Sequence, residues 1–243
     1  MAHMPLRVMS YNILLGGQDR LPCIARTIRG VAPDVVALVE ANERAHAEAL
    51  AGALGMALAF GEANSDFHVA WLSRLPIRAV HNHRRAIFTK TLLEVVVEWE
   101  GLEVALFATH LSAGRGESEP RRLQEVAAIV DVLNDNAARP HLLVGDLNAM
   151  PPGEVPGQPP PGEVADVRGE ALVPLVSAGY LDCYRALHPA ASGYTYTTDQ
   201  PWLRLDYIFA SPELAPQLRA CDIVTGADVA RCSDHFPIWA EFA

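Results

Sequence analysis

No apolar run in this 243-residue chain approaches the roughly 20 residues that a membrane-spanning helix requires. The start, MAHMPLRVMSYN, also lacks the apolar core of a signal peptide, so the expected setting is the cytoplasm. Its first four letters, residues 1–4, read as an expression scar ahead of the native start. Cysteine is scarce: Cys23, Cys183, Cys221 and Cys232 form no C-x-x-C pair and no zinc spacing. Free, buried thiols in a reducing compartment are the expectation. Positive charge is also short, with 19 basic against 29 acidic residues and a formal net charge of −10. That excludes a protein whose whole surface attracts nucleic acid or anionic membrane. It leaves room for an enzyme that holds a polyanion through a metal and a few arginines. Eighteen of the nineteen basic residues are arginine. No long polar tract or internal repeat is visible, and the length suits one domain spanning residues 5–243.

Half of the residues are hydrophobic, and they recur in strand-length runs. These are LRVMSYN, DVVALVE, HVAWLS, TLLEVVVEWE, LEVALFATHL, HLLVGDLN, LDYIFAS, CDIVTG and FPIWAEF. Helical spacing appears in RLPCIARTIRGV, ending on a glycine stop, and in NERAHAEALAGALG, with Asn42 as the expected cap. SEPRRLQEVAAIVDVLND carries Ser118 as cap, Pro120 in the first turn, and apolar positions at Leu123, Val126, Ala127, Val130 and Leu133. A shorter helix is predicted in GEALVPLVSAG. One glycine separates TLLEVVVEWE from LEVALFATHL, which reads as a hairpin. So many strands with few helices predict two packed, mostly antiparallel sheets with helices outside. The Pro/Gly-rich stretch 150–170 breaks the pattern as a loop.

The chemically interesting residues share one address, the strand ends. Asn12 ends VMSYN, Glu40 ends DVVALVE, His110 ends LFATH, and Asp146 with Asn148 ends LLVGDLN. Asp206 opens LDYIF, and Asp234 with His235 precedes FPIWAEF. Each alone has an ordinary explanation as a solvated edge, a turn or a cap. Together they would put four carboxylates, two amides and two imidazoles on one rim. Carboxylates crowded this way stay ionised only beside a cation. Oxygen ligands without thiolates suit Mg²⁺ or Mn²⁺, and the absence of H-x-x-x-H pairs counts against a zinc amidohydrolase. Such a site suits phosphoryl chemistry.

The order YNIL, LVE, THL, GDLN, RLDYIF, SDHFPI resembles the endonuclease/exonuclease/phosphatase superfamily, related to deoxyribonuclease I, over residues 8 to 240. The resemblance implies an α+β fold, a four-layer α/β/β/α sandwich. It also implies a Mg²⁺- or Mn²⁺-dependent hydrolase of phosphate esters. Glu40 would be the principal metal ligand, with Asn12 beside it and Asp234 ligating directly or through water. Asp146 would orient and deprotonate the attacking water, and Asn148 would bond that water or the phosphate. His235, pinned by Asp206, and His110 would donate to phosphate oxygens. The reading is a phosphodiesterase. The alternatives are a phosphomonoesterase acting on a lipid headgroup or inositol phosphate, and a non-catalytic binding module on the same fold.

Departures bear on substrate. Leu14 stands where abasic-site endonucleases carry an acid, and no basic clamp for duplex DNA is evident. Trp202 and Arg204 stand where inositol 5-phosphatases carry a cysteine-bearing signature. Trp202, Arg204 and Arg121 are therefore weak substrate-binding candidates; Arg121 forms an Arg-x-x-Gln pair with Gln124. The SRLPI segment fits the family as a structural feature. The letters HNH at 81–83 lack a ββα-metal framework. The expected partners are phosphate esters: nucleic acid, lipid headgroup or small molecule.

Overall fold

Alternation along β1 (Leu6–Asn12) sets the architecture. Leu6 and Val8 pack in one buried cluster, and Met9 and Tyr11 in another on the opposite face. A computed structural model describes residues 4–114, 116–163 and 169–243. After β1 come a 3-10 turn (Leu15–Arg20), α1 (Leu21–Val31), β2 (Val35–Val39), α2 (Arg44–Leu54), β3 (Ala57–Gly61), β4 (Val69–Ser73) and β5 (Ile77–His83). The chain continues through β6 (Leu92–Trp99), β7 (Leu102–His110), α3 (Glu119–Asp135) and β8 (His141–Asp146). It then forms α4 (Val173–Ser177), β9 (Leu181–Asp182), α5 (Cys183–Leu187), β10 (Asp206–Ala210), β11 (Leu218–Ile223), α6 (Ala227–Ala230) and β12 (Ile238–Phe242).

The strands form two six-stranded sheets, ordered β11-β12-β1-β2-β4-β3 and β5-β6-β7-β8-β10-β9. Among the described residues only β1–β2 and β7–β8 pair in parallel; the other pairings are antiparallel. One apolar cluster lies between the sheets, including Val8, Ala37, Trp71, Val95, Leu106, Val144 and Ile208. A second joins the outer face of the first sheet to α1 and α2 through Met9, Tyr11, Ile24, Ile28 and Leu50. A third joins the second sheet to α3 and the 170–177 segment through Phe107, Leu143, Val126, Ile129 and Leu172. The order α/β/β/α matches the four layers expected from the resemblance.

This topology gathers the strand ends. The C-termini of β1 and β2 point the same way because the pair is parallel, and β7 and β8 do likewise. β12 and β10 run antiparallel to β1 and β8, so their beginnings arrive at the same rim. Parity then selects the side chains. His110 shares parity with Val104, Leu106 and Ala108, Asp146 with Leu142 and Val144, and Asp206 with Ile208 and Ala210. All three therefore face the gap between the sheets, as Asn12 does from β1. Gly145 makes the close approach possible: its φ is +141°, and a Cβ there would lie 1.9 Å from the Thr109 carbonyl oxygen.

Several expectations need correction. Among the described residues β3, β5 and β9 are additional strands. β5 escaped pattern reading because its Arg, His and Asn positions lie exposed on a sheet edge. The 218–223 strand starts three residues before the CDIVTG run. Gly30 lies inside α1, whose cap is Ala32 in the left-handed region, and α2 is preceded by Glu43 rather than capped by Asn42. Ser118 precedes α3 without a side-chain capping bond. Leu123 and Ala127 of α3 are exposed, whereas Glu119, Arg122 and Glu125 are buried. The helix is turned because those polar groups bond neighbouring loops, and this outweighs the apolar periodicity. Two thiols are not free: Cys23 and Cys232 form a disulfide tying α1 to the segment before β12. Their Cα atoms, 209 residues apart in sequence, lie 5.5 Å apart, a proximity that sequence spacing could not show. Cys183 and Cys221 are free and buried, as expected. Residues 1–3 of the expected scar and 164–168 of the Pro/Gly-rich stretch lie outside the described residues. No described helix is long and apolar enough to cross a membrane.

Candidate active site

Asp146 sits at the centre of the rim, 1% exposed. Its Oδ1 accepts from the Asn148 backbone N–H at 3.0 Å, and its Oδ2 accepts from Asn12 Nδ2 at 3.1 Å. Two imidazoles flank the same Oδ2, His110 Nε2 at 3.6 Å and His235 Nε2 at 3.7 Å. Asn12 Nδ2 also donates to Glu40 Oε1 at 3.2 Å, and Glu40 Oε2 accepts from the Leu15 N–H at 2.9 Å. His235 Nδ1 meets Asp206 Oδ2 at 2.8 Å. These residues, drawn from six strands or their flanking turns, form one connected cluster.

Backbone strain concentrates here. Leu14, Leu15, Glu40 and Asn148 all have positive φ, between 48° and 58°. L-residues adopt that region at a cost of order 1 kcal/mol or more, and such outliers gather at functional sites. For Glu40 the consequence is direct. It follows Val39 of the inter-sheet parity, so regular extension would turn it toward the helices. Its φ of +58° breaks the alternation and lets the carboxylate meet Asn12.

A cavity of about 320 Å³ opens over this cluster. Glu40, His110, Asp146, Asn148, Asp234 and His235 face it on one side. Tyr196, Trp202, Leu203 and Leu205 form an apolar wall, and Ala113, Gly114 and Glu163 complete the lining. Tyr196 is held there by isolated bridges to Leu203 and His235, its ring centroid 4.9 Å from that of His235. A larger cavity of about 720 Å³, lined by Arg7, Cys23, Arg26 and Trp239 among others, contains none of the rim residues.

The surroundings push the two imidazoles' pKa values in opposite directions. For His235, burial opposes the cation, but Asp206 and then Asp146 outweigh it and raise its pKa to about 10. For His110, burial first, then the charges of Lys90 and His235, push the pKa well below the usual value, so this ring is neutral. Phe67 packs edge-on against it at 6.1 Å between centroids. Burial likewise drives the Asp146 carboxyl up to about 7 against the pull of His235. Proton-accepting character near neutrality is what a general base needs.

The donor set fits a hard divalent ion. Ligand atoms of Asp146, Asp206 and His235 all lie within 4.8 Å of one another, and Asp206 Oδ1 is buried without a hydrogen-bond partner among the described residues. Glu40 and Asp234, each partly exposed, add carboxylates to the same cavity. Carboxylate and amide oxygens around a water-accessible cavity suit Mg²⁺ or Mn²⁺.

The weaker candidates separate. Trp202 lines the cavity, 2% exposed, with a buried Nε1 lacking a partner among the described residues. Arg204 does not reach it. Its fully buried guanidinium pairs with Glu154 and Asp182, the latter at 2.7 Å, so it acts as a structural ion pair. Arg121 reaches the Ala86 carbonyl at 3.3 Å, away from the lining, and Gln124 is exposed. Sequence reading missed Lys90, 4% exposed, whose Nζ donates to the Leu111 carbonyl at 2.8 Å. It also missed Tyr196 and the buried Glu125. Being the lone lysine was the only signal Lys90 gave.

The chain is a four-layer sandwich with acids and imidazoles at the mouth between its sheets. The Endonuclease/Exonuclease/phosphatase family matches residues 9–235, and the chain belongs to it. Among solved structures, D. rerio TDP2 in complex with a single-strand DNA product is 19% identical, with TM-score 0.76, covering 98% of this chain and 99% of that one. An AP endonuclease from Archaeoglobus fulgidus is 20% identical, with TM-score 0.77 and the same coverages of 98% and 99%. The human Nocturnin catalytic domain, with a bound sulfate anion, is 20% identical, with TM-score 0.74, covering 98% and 93%. At such identities these likenesses establish the fold. No curated protein matches the chain by sequence.

Proposed function

We propose that the protein is a divalent-metal-dependent phosphodiesterase in which Asp146 activates water for in-line attack on phosphorus. The observation that carries this reading is the convergence of Asp146, both imidazoles and Glu40 on one cavity. Glu40, Asn12 and Asp234 would hold Mg²⁺ or Mn²⁺, which, when bound, neutralises phosphate charge and the leaving oxygen. Asp146 orients the water and takes its proton. Asn148, whose side chain is tethered to the Leu111 carbonyl at 3.2 Å, bonds the water or a phosphate oxygen. The cationic His235 donates through Nε2 to a nonbridging oxygen, with Asp206 fixing the ring from Nδ1. Neutral His110 offers a second N–H without adding charge. Attack opposite the leaving group inverts phosphorus and needs no covalent enzyme intermediate.

The net charge of −10 weighs against a clamped duplex as the substrate. The single-strand DNA product held by TDP2 and the sulfate held by Nocturnin agree with a phosphate-ester substrate here. The deciding experiment compares bis(p-nitrophenyl) phosphate with p-nitrophenyl phosphate, each with Mg²⁺ or Mn²⁺. The proposal expects metal-dependent diester cleavage. Monoester cleavage alone would move the assignment to a phosphatase, and no cleavage of any ester would sink it.

The His235–Asp206 pair gives a pH prediction. Because the His235 pKa is raised to about 10, the cationic ring persists below that pH and is lost above it. The alkaline limb of kcat/KM therefore falls as pH rises through about 10. Asp206→Asn removes the charge that most favours the proton, so the limb should move to lower pH. An unmoved limb in the variant's pH–rate profile would show that another group controls it.

A further inference from the structure

The peptide group of Leu111 is a junction. Its N–H donates to the main-chain carbonyl of Asp146 at 3.0 Å. Its carbonyl accepts from Lys90 Nζ at 2.8 Å and from Asn148 Nδ2 at 3.2 Å. Leu111 therefore touches the base strand on one side and the amide beside the base on the other, and His110 is its immediate neighbour in the chain. The Lys90 ammonium lies 5.8 Å from the ring of Phe67, the same ring that packs edge-on against His110. One amine thus contacts both what holds the His110 ring and what holds its backbone.

The surroundings clamp this junction. Glu125 accepts from the Thr89 N–H at 2.7 Å and the Ser112 N–H at 2.9 Å. It binds the residue before Lys90 to the residue after Leu111. Arg122 donates to the carbonyls of Ser112 at 3.1 Å and Gly114 at 3.0 Å, and Gly114 lines the cavity. These contacts explain why α3 turns its polar residues inward.

Burying an ammonium is costly, and a neutral donor would satisfy a carbonyl without that cost. Burial does lower the Lys90 pKa, while Asp146, Glu125 and Glu40 oppose the shift. A charged donor holds a carbonyl more tightly than a neutral one, and this one sits beside the crowded acids. We propose that Lys90 is a positioning residue for hydrolysis: by gripping the Leu111 carbonyl it fixes His110 and Asn148 on the two flanks of Asp146. The inference rests on the phosphodiesterase reading above.

The test uses the full chain with bis(p-nitrophenyl) phosphate and saturating Mg²⁺ or Mn²⁺, comparing Lys90→Met, Lys90→Gln and Lys90→Arg. Displacing reacting groups by an ångström costs up to about a hundredfold, so Lys90→Met should lower kcat at least about tenfold. KM should stay within about threefold, since no substrate contact is removed. At least one of the donor-bearing variants, Gln or Arg, should exceed Met. Peptide-resolved amide exchange should accelerate around 110–114 in Lys90→Met and stay unchanged in β1 and β12. A wild-type kcat in Lys90→Met overturns the assignment. So does a loss that merely tracks the folded fraction, or failure of both donor-bearing variants to improve on Met. If the wild-type protein hydrolyses no ester, the functional reading fails; the exchange measurement still decides whether Lys90 orders the junction.

Discussion

Asp146→Asn is expected to cut turnover at least about a hundredfold, the scale of a lost general base, while metal binding stays nearly normal. The groups that touch Asp146 or its imidazole partners are poorly placed to take over. Asp206 is committed to the Nδ1 side of His235, His235 is cationic, and the lowered pKa of His110 makes it a poor proton acceptor. Asparagine fits the site, but it carries one acceptor oxygen where the carboxylate presents two, to Asn148 N–H and Asn12 Nδ2. The lost bond costs about 1 kcal/mol, partly offset because a buried charge disappears. The variant should therefore fold, and a melting curve beside a single-turnover rate separates chemistry from stability. Turnover within a few-fold of wild type would remove Asp146 from the role of base.

Glu40→Gln should show the complementary pattern. The concentration of Mg²⁺ or Mn²⁺ giving half-activity should rise on the order of a hundredfold, with a much smaller loss of kcat at saturating metal. Glutamine keeps an acceptor for Asn12 or Leu15, so the local bonds to Asn12 Nδ2 and Leu15 N–H are partly preserved. What it removes is the charge. The rise in melting temperature on adding metal should shrink accordingly, since a ligand stabilises only in proportion to its binding. An unchanged metal titration would reject Glu40 as the principal ligand and direct attention to Asp146, Asp206 and His235, whose ligand atoms also cluster.

How much was legible in the chain can be followed residue by residue. Asn12, His110, Asp146 and Asp206 were visible because each sits at the end of an apolar run. The alternation that buries Val8, Leu106, Val144 and Ile208 aims them at the same gap. Glu40 was visible by position, but its route to the site depends on a left-handed backbone that breaks the alternation. The inward polar face of α3 was misread because Leu123 and Ala127 keep helical spacing while Glu119, Arg122 and Glu125 find loop partners. Arg204 sat among motif residues, yet its partners Glu154 and Asp182 lie 50 and 22 positions away and claim it entirely.

The sequence by itself determined which strands exist at the centre of each sheet, which faces they bury and what chemistry their ends carry. Those features follow from the two-residue period of an extended chain, which is local. Only the tertiary structure decided that burial pushes the His110 pKa down while Asp206 and Asp146 hold that of His235 up, that Cys23 meets Cys232, and that Lys90 reaches the Leu111 carbonyl. Charge state and partnership depend on distances and burial across the two sheets. Contacts between residues tens to hundreds of positions apart leave no periodic trace in the order of the letters.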